Sequence, residues 1–124
     1  MNNGTTLLTQ VNKEDVLYGG PYLQINPDIA GKLGLNEAIV LPQLHILTQE
    51  NPIRIEGYNW VHKTYDEWQQ HFPFWSKKTI ARIFHRLEKK GFIIVKRQFH
   101  PPFDINNYYR IDYDNLERFL EDNE

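Results

Sequence analysis

Residues 76–97 constrain the fold of this chain more than any other stretch, because they specify one helix and the strand that follows it. Ser76 is one of the residue types that favour a helix N-cap, where a side-chain oxygen accepts a free backbone N–H. Gly91 can adopt the left-handed conformation in which many helices end. We therefore predict a helix over residues 77–90 and a strand over residues 92–98.

The predicted helix has one apolar face and one basic face. At 100° per residue, its large apolar side chains lie within about 60° of one direction, as expected for a face that packs on a core. These residues are Ile80, Ile83, Phe84 and Leu87. The opposite face carries Lys78, Arg82, His85 and Lys89, with Arg86 at its flank. The helix is therefore predicted to pack by one side and to present cations on the other.

Basic side chains are concentrated in residues 76–97, although the whole chain carries a formal net charge of −2. This stretch contains 8 of the 14 Lys and Arg residues and one of the 16 acids, Glu88. A solvated helix face usually interleaves acids with its cations, and that pattern is missing here. The concentration of positive charge favours a polyanionic partner, because each neutralised phosphate releases condensed counterions.

A second short helix is predicted just before the basic helix. Thr64 and Glu67 have the spacing of a capping box, which predicts a helix through Gln70. Residues 72–75, Phe-Pro-Phe-Trp, interrupt that helix, and their three aromatic rings predict a buried turn. The order of helix, tight turn and basic helix indicates a helix-turn-helix.

Strand signals lie on both sides of this pair of helices. One strand is predicted over residues 58–63, and a returning strand over residues 108–113 forms a hairpin with residues 92–98. Turn signals between the hairpin strands are His100-Pro101-Pro102 and residues 104–107. We predict an α+β fold, a winged helix-turn-helix in which this hairpin is the wing. Its parts are an N-terminal arm (1–21), the winged domain (22–113) and an acidic C-terminal helix (114–124), for which Asp114 is the predicted cap.

The N-terminal arm is polar and ends in a hinge, Gly19-Gly20-Pro21. It also contains apolar residues suited to packing on a domain or a partner, namely Leu7, Leu8, Val11, Val16 and Leu17. Residues 22–25 alternate in polarity, which predicts a short strand.

Two helices are predicted between this strand and residue 50. Asn26 caps a helix over residues 27–33 that stops at Gly34, and Asn36 caps the next one, which runs to about residue 49. Pro42 predicts either a kink or a later helix start, because an internal proline costs about 3 kcal/mol in a straight helix. Residues 51–57 are predicted to be a loop.

The candidate nucleic-acid-binding residues lie on the basic helix and the wing. They are Ser76, Lys77, Lys78, Thr79, Arg82, His85, Arg86, Lys89, Lys90, Lys96, Arg97 and Arg110. The N-terminal part of the second helix of a helix-turn-helix points at base edges, and Arg82 is best suited to a bidentate contact with guanine. Lys89 and Lys90 suit phosphates. Lys96, Arg97, Arg110 and His100 suit phosphates or a minor groove, although Lys96 and Arg97 could instead protect a sheet edge.

The residue pattern gives no sign of catalytic chemistry or of a cofactor. The five His residues lack the spacing of metal ligands, there is no cysteine, and neither a glycine-rich phosphate loop nor a Ser–His–acid set occurs. We predict a non-enzymatic protein without metal or cofactor. The absence of a long apolar run and of a secretory signal favours a cytoplasmic location without membrane contact.

Five short motifs occur in a characteristic order: NEAIVL at 36–41, WV at 60–61, YDEW at 65–68, FPFWS at 72–76 and KKTI at 77–80. In this respect the chain resembles the winged-helix N-terminal domain of DnaD-like replication proteins and replisome organisers, which phages and mobile elements of Gram-positive bacteria carry. The resemblance covers about residues 22–113, and FPFWSKKTI is its most specific part. It implies DNA binding at the start of replication, oligomers formed through the winged-helix domain and contacts with replication proteins.

Three functions remain open from the sequence. The first is binding of double-stranded DNA in replication initiation of a phage or mobile element, with the helix 77–90 in the major groove and the wing, residues 96–110, on phosphates. The second is transcriptional regulation through the same surface. The third is a protein-interaction module that binds an acidic partner instead of DNA. A homodimer formed through the N-terminal arm or the helices is a further expectation.

Overall fold

The computed structural model describes residues 13–100 and 104–122. The helices in this part of the chain are α1 (Lys13–Tyr18), α2 (Pro27–Leu33), α3 (Leu35–Glu50), α4 (Tyr65–His71), α5 (Lys77–Lys89) and α6 (Tyr113–Asp122). The strands are β1 (Ile53–Ile55), β2 (Tyr58–Lys63), β3 (Ile93–His100) and β4 (Asp104–Ile111), which form an antiparallel sheet in the order β1-β2-β4-β3. The fold is α+β, and this arrangement is compatible with the predicted winged helix-turn-helix. No helix in the described part of the chain is long and apolar enough to cross a membrane.

Helix α3 runs through the centre of the domain, where it contacts α2, α5, β2 and β4. Five consecutive residues, 37–41, are buried, so the first half of the helix is covered on nearly all sides. Pro42 lies inside α3, and the helix starts at Leu35, so a start near Pro42 is excluded. The packing of residues 37–41 and Leu44 on the core offsets the cost of the missing backbone hydrogen bond.

The helix caps agree with the sequence at some positions and differ at others. Asn26 caps α2, since its Oδ1 accepts hydrogen bonds from the backbone N–H of Asp28 and Ile29 at 2.9 and 3.2 Å. The predicted cap at Asn36 is wrong, because Gly34 ends α2 and also begins α3, which leaves Asn36 inside the helix. The predicted cap at Asp114 is wrong as well.

Asp112 caps α6 in place of Asp114. Its Oδ1 accepts the backbone N–H of Asn115 at 3.1 Å. The α6 helix packs on the same core as the other helices and the sheet, with the rings of Phe119 and Phe92 at 5.1 Å between centroids. The side-chain amide of Asn115 also donates to the carbonyl of Gly91 at 2.8 Å, which ties α6 to the end of α5.

The strand predictions need three corrections. Residues 22–25 form no strand, residues 51–57 include β1, and residues 104–107 belong to β4 instead of a turn. Strand β1 pairs with β2 across a two-residue turn, Glu56-Gly57, whose φ values of 54° and 87° suit a type I′ hairpin. The sequence Glu-Gly is not a common signal for this turn, and for that reason the hairpin was missed. Residues 101–103 of the predicted wing turn lie outside the described residues.

The turn between α4 and α5 is only partly buried. Phe72 is 0% exposed and its ring stacks on that of Trp68, whereas Phe74 is 55% exposed and Pro73 is also exposed. The prediction of a wholly buried turn is therefore wrong. The side-chain amide of Gln69 donates to the Trp75 carbonyl at 3.1 Å, which holds the turn against α4.

The described part of the N-terminal arm includes α1, a helix of six residues with no buried side chain. Val16, Leu17 and Tyr18 are exposed there. Packing of the arm on its own domain is therefore not observed for these residues. Leu7, Leu8 and Val11, for which packing was also predicted, lie outside the described residues.

Candidate nucleic-acid interface

The orientation of α5 is fixed by its two ends and its apolar face. Ser76 caps the helix by accepting the backbone N–H of Thr79 at 3.1 Å, and Gly91 follows its end with a φ of 81°. The predicted apolar face is confirmed, since all four of its side chains are at most 2% exposed: Ile80, Ile83, Phe84 and Leu87. This face packs against α4, β3 and α3, so the opposite face points to solvent.

The solvent side of α5 carries an open basic surface. We use this name for five exposed residues: Lys78, Arg82, His85, Lys89 and Lys90. Within the described part of the chain, the four Lys and Arg residues of this set form no ion pair with a carboxylate. Their donors are therefore available to an external anion.

The other four cations of residues 76–97 each pair with an acid. Lys77 pairs with Asp66 at 2.7 Å, Arg86 with Glu37 at 3.9 Å, Lys96 with Glu56 at 3.8 Å and Arg97 with Glu88 at 2.7 Å. Three of the four acids come from elements other than α5 and the wing. Half of the cations that the sequence concentrates here thus have an acidic partner within the protein.

Glu37 is an acid that the sequence did not single out. Its side chain is 4% exposed and lies in the first turn of α3, where the helix dipole favours a negative charge. Arg86 lies on the flank of α5 next to it. This predicted DNA-contact residue therefore pairs with a buried carboxylate, while about half of its own side chain stays exposed.

Ser76 and Thr79 take part in the cap at the start of α5. The Ser76 hydroxyl also donates to the Thr79 hydroxyl at 3.1 Å. Both residues lie at the N-terminal end of the helix, beside Lys78. In this structure their hydroxyls bond to each other, and the Ser76 hydroxyl also bonds to the first turn of the helix.

Arg110 and Lys96 lie on the face of the wing that points away from α5. In β4, Asn107, Tyr109 and Ile111 are buried toward the core, so Arg110 points to the other side. The Arg110 guanidinium lies 3.7 Å from the Tyr58 ring centroid and 5.2 Å from that of Trp60. These rings belong to β2, and the sequence did not link them to a basic residue.

The β1–β2 hairpin lies against this outer face. Glu56 at its tip pairs with Lys96, and the indole N–H of Trp60 donates to the Ile55 carbonyl at 3.2 Å. Arg97, the neighbour of Lys96, points to the side of α5, where it meets Glu88. Strand β3 is at the edge of the sheet, so the interpretation of Lys96 and Arg97 as edge protection stays compatible with the structure. The His100 side chain is outside the described side chains.

The ion pair between Glu88 and Arg97 shifts the pKa values of the two groups in opposite directions. Two hydrogen bonds from Arg97, at 2.7 and 2.9 Å, hold the pKa of the Glu88 carboxyl below its ordinary value, and they raise the pKa of Arg97. Partial burial acts against both shifts. Hydrogen bonds to the charged carboxylate are therefore the leading cause.

We expect this pair to contribute to stability at neutral pH and to lose its contribution in acid. Because the folded pKa of Glu88 is lowered, the contribution is present above the unfolded value of about 4.3 and is lost as the pH falls through the folded pKa. Glu88→Gln should lower the free energy of unfolding at pH 7 by less than about 1 kcal/mol, since the Arg97 side chain is half exposed and solvent screens the pair. Urea unfolding at pH 7 and pH 3 measures this. An equal difference between the two proteins at both pH values would contradict the expectation.

Within the described residues, no group of three His, Asp or Glu side chains lies close enough to hold a metal ion. Comparisons of the chain with protein-family models, with curated proteins and with solved structures gave no match. The case for a function therefore rests on the geometry of α5 and its surroundings.

Proposed function

We propose that this chain is a winged-helix protein that binds double-stranded DNA in replication initiation of a phage or mobile element. The open basic surface is the observation that carries the proposal, because three cations without an acidic partner in the described structure lie on one face of α5, and a fourth, Lys90, follows directly at the end of the helix. The order α3, β1–β2, α4, α5, β3–β4 supports the assignment of α4 and α5 to a helix-turn-helix and of β3–β4 to the wing. The replication role comes from the resemblance to DnaD-like proteins.

The dimensions of α5 suit a DNA groove. Its 13 residues make a helix about 20 Å long, and the major groove, about 12 Å wide, admits such a helix. Lys78 and Arg82 lie in the N-terminal half, where they would face base edges, with Arg82 offering a planar fork of donors to guanine. Lys89 and Lys90 at the other end would contact phosphates.

A protein-interaction module is the second candidate, and the four internal ion pairs favour it. They demonstrate that cations of this region accept carboxylate partners from other elements. An acidic protein segment could engage the open basic surface in the same way. Transcriptional regulation would use the same DNA-binding surface as replication initiation and would differ from it in the DNA site that is bound.

Titration of random and native flanking duplex DNA at several salt concentrations tests the proposal. We expect binding to random duplex at low salt and a slope of log K against log salt of about −2.7 to −3.6, as for three or four neutralised phosphates. The control ligand is an acidic peptide, titrated at the same salt concentrations as the DNA. Binding of the peptide without any binding of random duplex at low salt would refute DNA binding. Footprinting on the flanking DNA then separates a replication origin from a promoter.

A further inference from the structure

Glu88 is the one acid of α5, and it lies between the buried face of the helix and the open basic surface. From there its carboxylate reaches across to β3, where both terminal nitrogens of Arg97 donate to it at 2.9 and 2.7 Å. This is the bidentate geometry that a guanidinium also offers to a phosphate. Glu88 therefore fills the site on Arg97 that a DNA backbone would use.

Arg97 is nevertheless within reach of an external anion. Its side chain is 49% exposed, against 26% for Glu88, so the guanidinium is the more accessible member of the pair. It lies beside His85 of the open basic surface, and both residues line the same small cleft. A duplex docked on α5 would bring its backbone close to this edge of the wing.

We infer that Glu88 competes with DNA phosphate for Arg97, so that the wing gains this backbone contact only by exchanging one anion for another. The inference rests on the proposed function and concerns the regulation of its site. Since a phosphate contact carries no sequence information, an internal competitor for it lowers binding to any duplex, whatever its sequence. Glu88 thus limits the sequence-independent part of the affinity.

Four proteins test this competition: the wild type, Glu88→Gln, Arg97→Ala and the double variant. Glu117→Gln is the matched control, because it removes the same charge from an exposed position on α6. Affinity for random duplex DNA is measured by fluorescence anisotropy over a range of salt. We expect Glu88→Gln to bind roughly five-fold more tightly at low salt and to steepen the salt slope by about 0.9, as for one added phosphate.

The double variant decides whether the gain acts through Arg97. In the Arg97→Ala background, Glu88→Gln should behave like Glu117→Gln, with a small gain and no change of slope. A gain that persists without Arg97, or an unchanged slope in Glu88→Gln, overturns the inference while DNA binding stands. If wild type and Glu88→Gln both fail to bind random duplex at low salt, the proposed function fails and the inference with it. Thermal unfolding checks each variant, and Glu88→Ala replaces Glu88→Gln if the latter does not fold.

Discussion

The double variant K78A/R82A is expected to bind duplex DNA about 2–4 kcal/mol more weakly than the wild type, a loss of roughly 30- to 1000-fold. Both side chains are exposed, and neither forms an ion pair with a described acid, so their whole charge is available to DNA. The salt slope should become shallower by at most about 1.8, the value for two cations that neutralise phosphates, because two positive charges next to the DNA are lost. Anisotropy titrations at several salt concentrations measure both quantities.

A matched control for this variant is K13A/R54A. It removes one Lys and one Arg from exposed positions on α1 and β1, outside α5 and the wing. Both double variants should keep wild-type stability to within about 0.5 kcal/mol per exposed site. Equal losses of affinity in the two variants would mean that total charge, and not the face of α5, determines binding.

Phe72→Ala is expected to destabilise the domain by about 3–5 kcal/mol. The Phe72 side chain is 0% exposed, and its ring lies 6.0 Å from Trp68 and 5.2 Å from Trp75 between centroids. Truncation leaves a cavity between α4 and the turn that orients α5, and the rigid rings around it limit collapse. The free energy of unfolding in urea measures the loss.

Phe74→Ala is the control, because the same residue type lies two positions away and is 55% exposed. Its truncation should cost less than about 1 kcal/mol, since little apolar area returns to water. Because both variants replace Phe by Ala, a difference between their losses reflects the position and not the type of substitution. Similar losses at the two positions would contradict the arrangement of this turn.

Sequence reasoning located α4 and α5 well, because their signals are local. The capping box at Thr64 is present with both of its hydrogen bonds, and Ser76 caps α5 as predicted. The apolar stripe of α5 depends only on helical periodicity. By contrast, the predicted caps at Asn36 and Asp114 are wrong, because in each case the residue two positions earlier begins the helix. These residues are Gly34, which also ends α2 so that α3 starts at Leu35, and Asp112. The packing of the neighbouring element decides between the two nearby candidates.

The division of the basic residues into open and paired sets was beyond local reasoning. The acids that neutralise Arg86 and Lys96 are Glu37 and Glu56, which are distant in sequence and arrive through the packing of α3 and the β1–β2 hairpin. The hairpin itself was missed because β1 has three residues and an unusual turn. Charge counting therefore found the region of the candidate site, and only the tertiary structure identified which cations have no ion-pair partner among the described residues.

Gly34 leaves α2 and α3 no linker, so the two helices meet at a rigid corner. With a φ of 108°, the residue has a conformation that side chains disfavour, and an added Cβ would lie 2.5 Å from an oxygen of Glu37. Glu37 in turn pairs with Arg86 on the flank of α5. The corner thus sets the direction in which the N-terminal segment leaves the domain, and the carboxylate next to it also borders the candidate DNA surface. A shift of α2 at this junction would therefore move the backbone close to Glu37, which pairs with Arg86 on α5.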